Sequence, residues 1–487
     1  MHRVLAWFRS HPLSTIFLGF IVFAVGMHLL ANWRAEVRWQ RYCAEARARG
    51  VKLTLAEFAP PEIPDAENFA KIPMLRAIFS GGVQRPLELP VVNGKRPDFG
   101  NALKGERIDW KEWQKFCQEA GWISKTTDEP ASDVLRGLEH YAPQFKEWSE
   151  WRTRPSCRFT LDTRDIMAMP LAHLGTFMDA AKLFALRMRA HLALGDSAAA
   201  FGDFREGLQA YRIPSEEPVL LAGLVRISAL NTILAAVGDG LAQRAWAESE
   251  LKTLTDELSS VRVCAAYVQA FSSERGFGNQ AEDDIMAMSP LQRARKISSI
   301  NAANVLGARS IPPTWVFVFL PKRVYRDNQL RYNLHFDELC ERVTDDQTQF
   351  LSSAGTPTSF ENPEGFDAYY YCLFTYSNPV FSEIAGRFVH LKAQLDETRL
   401  ACALERFRLA RGAYPETLAE LVPDFIAEMP VDTYSRQPLI YRREDGGTFL
   451  LYGVGKNRTD DGGVIDPKKS EYKQPDDVWL FAPTPSK

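Results

Sequence analysis

Residues 185–211 read ALRMRAHLALGDSAAAFGDFREGLQAY. Just before and into this stretch, Leu171, Leu174, Phe177, Ala181, Phe184 and Met188 recur every three or four residues. That is the period of one face of a helix. Leu192-Ala193-Leu194-Gly195-Asp196 then interrupts the pattern. The glycine ends one helix, and the Asp196 carboxylate can cap the free N–H groups of the next. Ala200, Phe204 and Leu208 line one face of that second helix. The spacing predicts a helical hairpin over 180–212. Leu220, Leu221, Leu224, Val225, Ile227, Leu230 and Ile233, followed by Leu251, Leu254, Leu258 and Val261, carry the helical pattern to residue 260. The fold class expected is therefore mainly α.

Composition agrees with a folded chain. Of 487 residues, 46% are hydrophobic and 24% charged, which suffices to build and solvate a core. The net charge of -3 and the lack of a basic excess point away from a nucleic-acid partner. Cys43, Cys117, Cys157, Cys264, Cys340, Cys372 and Cys402 are scattered, with no CxxC pair. Neither a zinc site nor a redox pair is indicated, and buried single thiols are expected.

Leu13 to Ala31 reads LSTIFLGFIVFAVGMHLLA, without a charge. A bilayer core needs roughly 20 apolar residues as a helix. The run is longer than a usual signal-peptide core and no small-x-small cleavage site closes it. An uncleaved single-pass anchor is expected, with the lipid bilayer as partner through residues 13–31. Arg3 and Arg9 precede it, and Arg34, Arg38, Arg41, Arg47 and Arg49 lie just after it. Counting these cations places the C-terminal side in the cytoplasm. A short tail before a signal anchor instead exports the chain on its C-terminal side.

A helix is predicted over 33–57, ending at the proline-rich Phe58–Pro64. Helical spacing also marks Ile108–Ala120, Ser132–Trp151 and Gln329–Val343. Trp110, Trp113, Trp122, Trp148 and Trp151 are expected to serve packing. Trp315–Leu320 is intensely apolar but too short to span a bilayer, and 353–365 reads as a linker. Phe381–Gly412 reads as one long helix, with a short helix starting at Tyr414-Pro415. Two apolar runs, 438–443 and 448–455, flank Asp445-Gly446-Gly447, a hairpin signal. Val478–Phe481 is a last candidate strand.

These residues carry two resemblances. The 180–212 pair resembles a tetratricopeptide unit: Ala200 and Phe204 match its small and aromatic positions, and Gly207 stands where a second small residue sits. It covers one repeat, without a second copy at the period of about 34 residues. From residue 381 on, the chain resembles the soluble part of the type II secretion major pseudopilin. The carrying residues are ALERFRLARGAYPETLAEL, PVDTYSRQPLIYR and FLLYGVGKNRTDDGG. The resemblance implies a long helix, a "YP" helix, a small antiparallel sheet and a calcium-binding loop. The chain departs from that family in lacking its Gly-Phe-Thr-x-x-Glu leader and in placing its apolar segment far upstream. The whole chain also resembles single-pass membrane proteins of planctomycetes and verrucomicrobia, which implies architecture but no activity. The pseudopilin likeness sets the expectation of a bacterial inner-membrane protein with a periplasmic soluble region.

The domains expected are 1–33, tail and anchor; 34–155, a membrane-proximal helix and mixed helical region; 156–352, α-helical; 353–380, linker; and 381–487, a pseudopilin-like α+β module. By the resemblance, calcium ligands fall on Asp460 or Asp461 and on Asp476 or Asp477. Calcium takes six to eight oxygens in flexible geometry. Asp466, Asn457 and Thr459, with Gly462 and Gly463 for tight turns, suit such a loop, whereas Lys468-Lys469 is atypical.

No HExxH, GxSxG or GxxxxGK[ST] motif occurs. His140 and His173 are expected in core or capping roles. Glu282-Asp283-Asp284 and Asp345-Asp346 read as solvated faces. The function expected is a non-enzymatic, membrane-anchored interaction or scaffold protein of the cell envelope, with protein partners. The alternatives are a component of a secretion or pilus-like assembly, and a hydrolase whose site assembles from distant residues.

Overall fold

The computed structural model describes residues 12–58, 61–79, 85–104, 106–154, 156–159, 171–293, 295–296, 320–344, 346–351, 367 and 370–481. Among them the order is α1 (Pro12–Ala48), α2 (Pro73–Phe79), α3 (Trp110–Glu119), α4 (Pro130–Leu138), α5 (Ala142–Trp151), α6 (Ala172–Ala193), α7 (Ser197–Arg212), α8 (Leu220–Ala242), α9 (Glu248–Ser259), α10 (Val263–Ala287), α11 (Lys322–Cys340), α12 (Cys372–Arg411), β1 (Ile440–Glu444), β2 (Thr448–Gly453) and β3 (Asp477–Val478). The protein is mainly helical, with an apolar N-terminal helix and a small three-stranded sheet near the C-terminus. It divides into two units. The first takes residues 1–58, 272–338 and 358–382, and the second 59–271, 339–357 and 383–487.

In the first unit, the apolar half of α1 buries nothing: Phe17, Phe20, Val22, Phe23 and Leu29 are all exposed. This is compatible with a membrane anchor or a signal sequence. The same helix then turns inward. Ala35, Trp39, Tyr42, Cys43 and Ala46 are buried at helical spacing, with Leu53 and the partly buried Leu330 packed on them. Ion pairs reinforce the contact. Glu36 meets Arg326 at 2.9 Å and Lys322 at 3.0 Å. Burial would raise its carboxyl, but hydrogen bonds from Gln40, Arg326 and Lys322 outweigh it and hold the pKa at about 2. Asp337 accepts from the Tyr42 hydroxyl (3.0 Å), Arg49 (2.8 Å) and Arg275 (2.9 Å). The helix stops before Gly50, whose φ of 78° suits a glycine, so the helix expected to reach residue 57 ends at Ala48.

In the second unit, α6 is the central helix. Leu174, Phe177, Ala180, Ala181, Leu183, Phe184, Ala185, Leu186 and Met188 are all buried, which means apolar contact on nearly every side. Helices α7 and α8 pack on it. At Gly207 of α7 a Cβ would collide with Ile233 of α8 and press on Phe184 of α6; the missing side chain lets three helices meet. Asp196 caps α7 by accepting the Ala199 N–H at 2.9 Å. Helix α8 is as apolar as a membrane span, yet most of its length is buried in this unit. Trp113 and Trp148 are fully buried, Trp148 edge-on to Phe69 at 5.2 Å.

The sheet has order β1-β2-β3, antiparallel throughout, with Tyr441 opposite Leu451 and Tyr452 opposite Val478. Its hairpin turns on Gly446 and Gly447, at φ 80° and 73°. Four expectations are corrected. Ser132–Trp151 is two helices, α4 and α5, split by a 3₁₀ turn at Glu139–Tyr141, because the Pro143 ring and missing N–H suit only the first turn of a new helix. The "YP" helix is a single 3₁₀ turn, Leu418–Leu421, closed by a Thr417–Glu420 capping box. The last strand, expected over Val478–Phe481, is Asp477–Val478 and shares only Val478 with it, and α12 starts at Cys372 rather than Phe381. Trp315–Phe319, the 353–365 linker and Asp345 lie outside the described residues.

Candidate functional site

The expected calcium loop comes directly after β2. Exposed Asp460 accepts the Tyr452 hydroxyl at 2.9 Å and the Gly462 N–H at 2.9 Å. Asp461, also exposed, accepts the Asn457 amide at 2.6 Å. Asp476 is fully buried and accepts the N–H groups of Gly463 (2.8 Å) and Asp461 (3.3 Å). Burial pushes its carboxyl up, and the charges of Asp461 and Asp460 add to that against the two N–H donors. Asp477, the next residue, turns the other way, as successive strand side chains do. Its Oδ1 lies 2.7 Å from His390 Nδ1 on α12. Asp460, Asp461 and Asp476 are thus neighbours, and Asp477 belongs to a different cluster. Among the described residues no three His, Cys, Asp or Glu side chains form a group able to hold a metal ion.

That second cluster is buried and charged. Burial opposes a proton on His390, but Asp477 and Glu471, the latter 4.0 Å from Nε2, raise its pKa to about 10. Glu471 is held low by His390 and also accepts from Gln394 at 3.2 Å. Glu397, 2% exposed, is pushed well above the carboxylate range by burial and then by the charge of Asp477. His390 therefore stays protonated at ordinary pH, and burial shifts Glu397 toward its neutral form.

The cluster borders a cleft. A cavity of about 560 Å³ is lined by Phe99, Arg189, Ser228, Asn231, Asp239, Arg387, His390, Lys468, Lys469, Glu471, Tyr472 and Phe481, among others. A second space of about 320 Å³ shares Phe99, Arg189, Asn231, Glu471 and Phe481 with it and reaches Gln394, Glu397 and Trp479. Such volumes are usual for small-molecule sites. Arg189 on α6 is 7% exposed and binds Asp239 through Nε at 2.5 Å. Its Nη1 has no hydrogen-bond partner among the described residues, and neither do Asn231 Oδ1, Gln394 Oε1, Glu397 Oε1 and Trp479 Nε1, all buried atoms. Buried polar atoms ordinarily find partners, so this concentration in one cleft marks it as the candidate site.

Sequence reasoning does not single out Arg189, Asn231 or Gln394. One signal exists: Ser228, Asn231 and Asp239 fall near one face of α8, a helix whose other polar side chains are Arg226 and Thr232 alone. His140 stacks on Trp122 at 5.1 Å, and fully buried His173 lies 4.0 Å from the Phe159 ring and 3.3 Å from Glu217. Cys117, Cys264 and Cys402 are buried, and burial pushes each thiol up to about 12, far from a reactive thiolate.

No protein family, curated protein or solved structure matches the chain.

Proposed function

We propose that the chain is a membrane-anchored, non-enzymatic interaction protein of the bacterial cell envelope, held in the inner membrane by residues 13–31 with its soluble region in the periplasm. The observation that carries this reading is the continuity of α1. The helix that exposes Phe17 to Leu29 also inserts Trp39, Tyr42 and Cys43 into the core of the first unit. Cleavage after the apolar run would cut a helix whose later turns hold that core. Binding rather than catalysis is supported by the state of the cleft's ions. Arg189 is tied to Asp239, and His390 sits between two carboxylates with its proton held, so it is a poor base near neutral pH.

Helices α6 and α7 are proposed as a tetratricopeptide-like pair, and residues 381–487 as a pseudopilin-like module for docking or stability. The order long helix, capped turn, hairpin and returning strand supports the latter. Calcium is proposed on the loop of that module, with the exposed Asp460 and Asp461 as its carboxylate ligands. In a calorimetric calcium titration, Asp461→Asn should abolish binding; absence of binding in the wild type refutes it. A hydrolase is the second reading, favoured by two carboxyls lining one cleft, Glu397 raised by burial and Glu471 held low by His390.

The placement is tested by fusing alkaline phosphatase or a cytoplasm-only fluorescent reporter after residue 487. The reading predicts phosphatase activity without fluorescence. Fluorescence alone would overturn the periplasmic assignment and any role in a secretion assembly.

A further inference from the structure

The inner cleft presents an arginine whose Nε is in use and whose Nη1 is not. Arg189 gives Nε to Asp239, while Nη1 is buried and without a partner among the described residues. A guanidinium fork offers paired N–H donors that match a carboxylate, and it binds one best where water is excluded. Asn231 and Gln394 line the same space, and their buried Oδ1 and Oε1 are likewise without partners among the described residues. They require a ligand that donates N–H or O–H hydrogen bonds. An inorganic anion without O–H groups, such as sulfate, leaves both unsatisfied. Phe99 and Phe481 line both parts of the cleft and supply apolar contact for a short carbon skeleton.

We propose that this cleft binds a small organic carboxylate, its carboxylate accepting from Arg189 Nη1 and its own N–H or O–H groups donating to Asn231 and Gln394. The inference rests on reading the chain as a binding protein and names the ligand class of that site. Two sources present this chemistry: a free amino or hydroxy acid, and the C-terminal end of a peptide chain.

The full-length chain, purified in detergent, is titrated calorimetrically with alanine, lactate and tri-alanine, each beside its amide. The acids bind and the amides do not. Binding of alanine or lactate assigns the free-acid source, and binding of tri-alanine alone assigns the chain end. Arg189→Lys weakens binding at least tenfold. Asn231→Ala, at a partly exposed position, weakens it several-fold with an unchanged melting temperature, and it carries the test if Arg189→Lys fails to fold. The proposal is overturned if folded wild type binds no acid, if acids and amides bind alike, or if Asn231→Ala binds like wild type. An anchored chain that binds no acid refutes this inference alone. A chain that binds acid but is released from the membrane by cleavage refutes only the anchored reading.

Discussion

Burial alone would strip the proton from His390, yet Asp477 at 2.7 Å and Glu471 hold it there to about pH 10. An unfolded histidine titrates near 6.5. The folded pKa is thus the higher one. The stability this proton confers is complete below about pH 6.5 and is lost as pH rises through about 10. Glu397, raised by burial, acts in the same direction over its own range. In urea unfolding, the wild type should lose stability steadily between pH 7 and 10. His390→Gln should be less stable near neutrality, by about 3 kcal/mol for a broken buried pair, and its curve should be flatter above pH 7. Parallel curves would contradict the assignment. At this scale the sequence is only partly legible. Asp460 and Asp461 sit where a local DDGG turn puts them. Asp477 is assigned to that loop by its position in the chain, but strand alternation sends it to a helix many residues upstream. Arg189 is hidden because an arginine on a helix reads as a solvated charge until its neighbours are known.

Among the elements, those written in short-range pattern are the legible ones. The three-and-four spacing gives α6 and α7, and the DGG turn gives the hairpin. The "YP" turn is less legible because Pro415 and Pro423 leave room for a single 3₁₀ turn, while the capping residues look like the start of a longer helix. Helix α8 is ambiguous for a different reason: a core helix and a membrane span have the same composition, and only burial separates them. The sheet depends on one close approach that composition conceals. Gly453 at the end of β2 lies against Asp432, and a Cβ there would overlap Asp432 Oδ2. Asp432 cannot easily withdraw, because its Oδ1 accepts the N–H groups of Tyr434 (3.0 Å) and Ser435 (2.5 Å). Gly453→Ala should therefore cost about 1–3 kcal/mol, the usual range for overpacking. Denaturant melts monitored by tryptophan fluorescence check this, and an unchanged midpoint would mean the turn is pliable.

Across the whole molecule, each unit gathers stretches that are distant in sequence. Such pairing leaves no local trace, so residue order predicts the elements but not which of them share a core. The cleft belongs to this scale as well: α6, α8, α12 and the loop at 467–472 each contribute part of its lining. The central claim is that α1 is at once anchor and structural core, and so is retained. It is tested most directly by intact mass spectrometry of the full-length protein recovered after alkaline carbonate extraction of membranes. Retention predicts protein in the membrane pellet whose mass includes residues 13–31. Protein in the supernatant with a new N-terminus after residue 31 would contradict it.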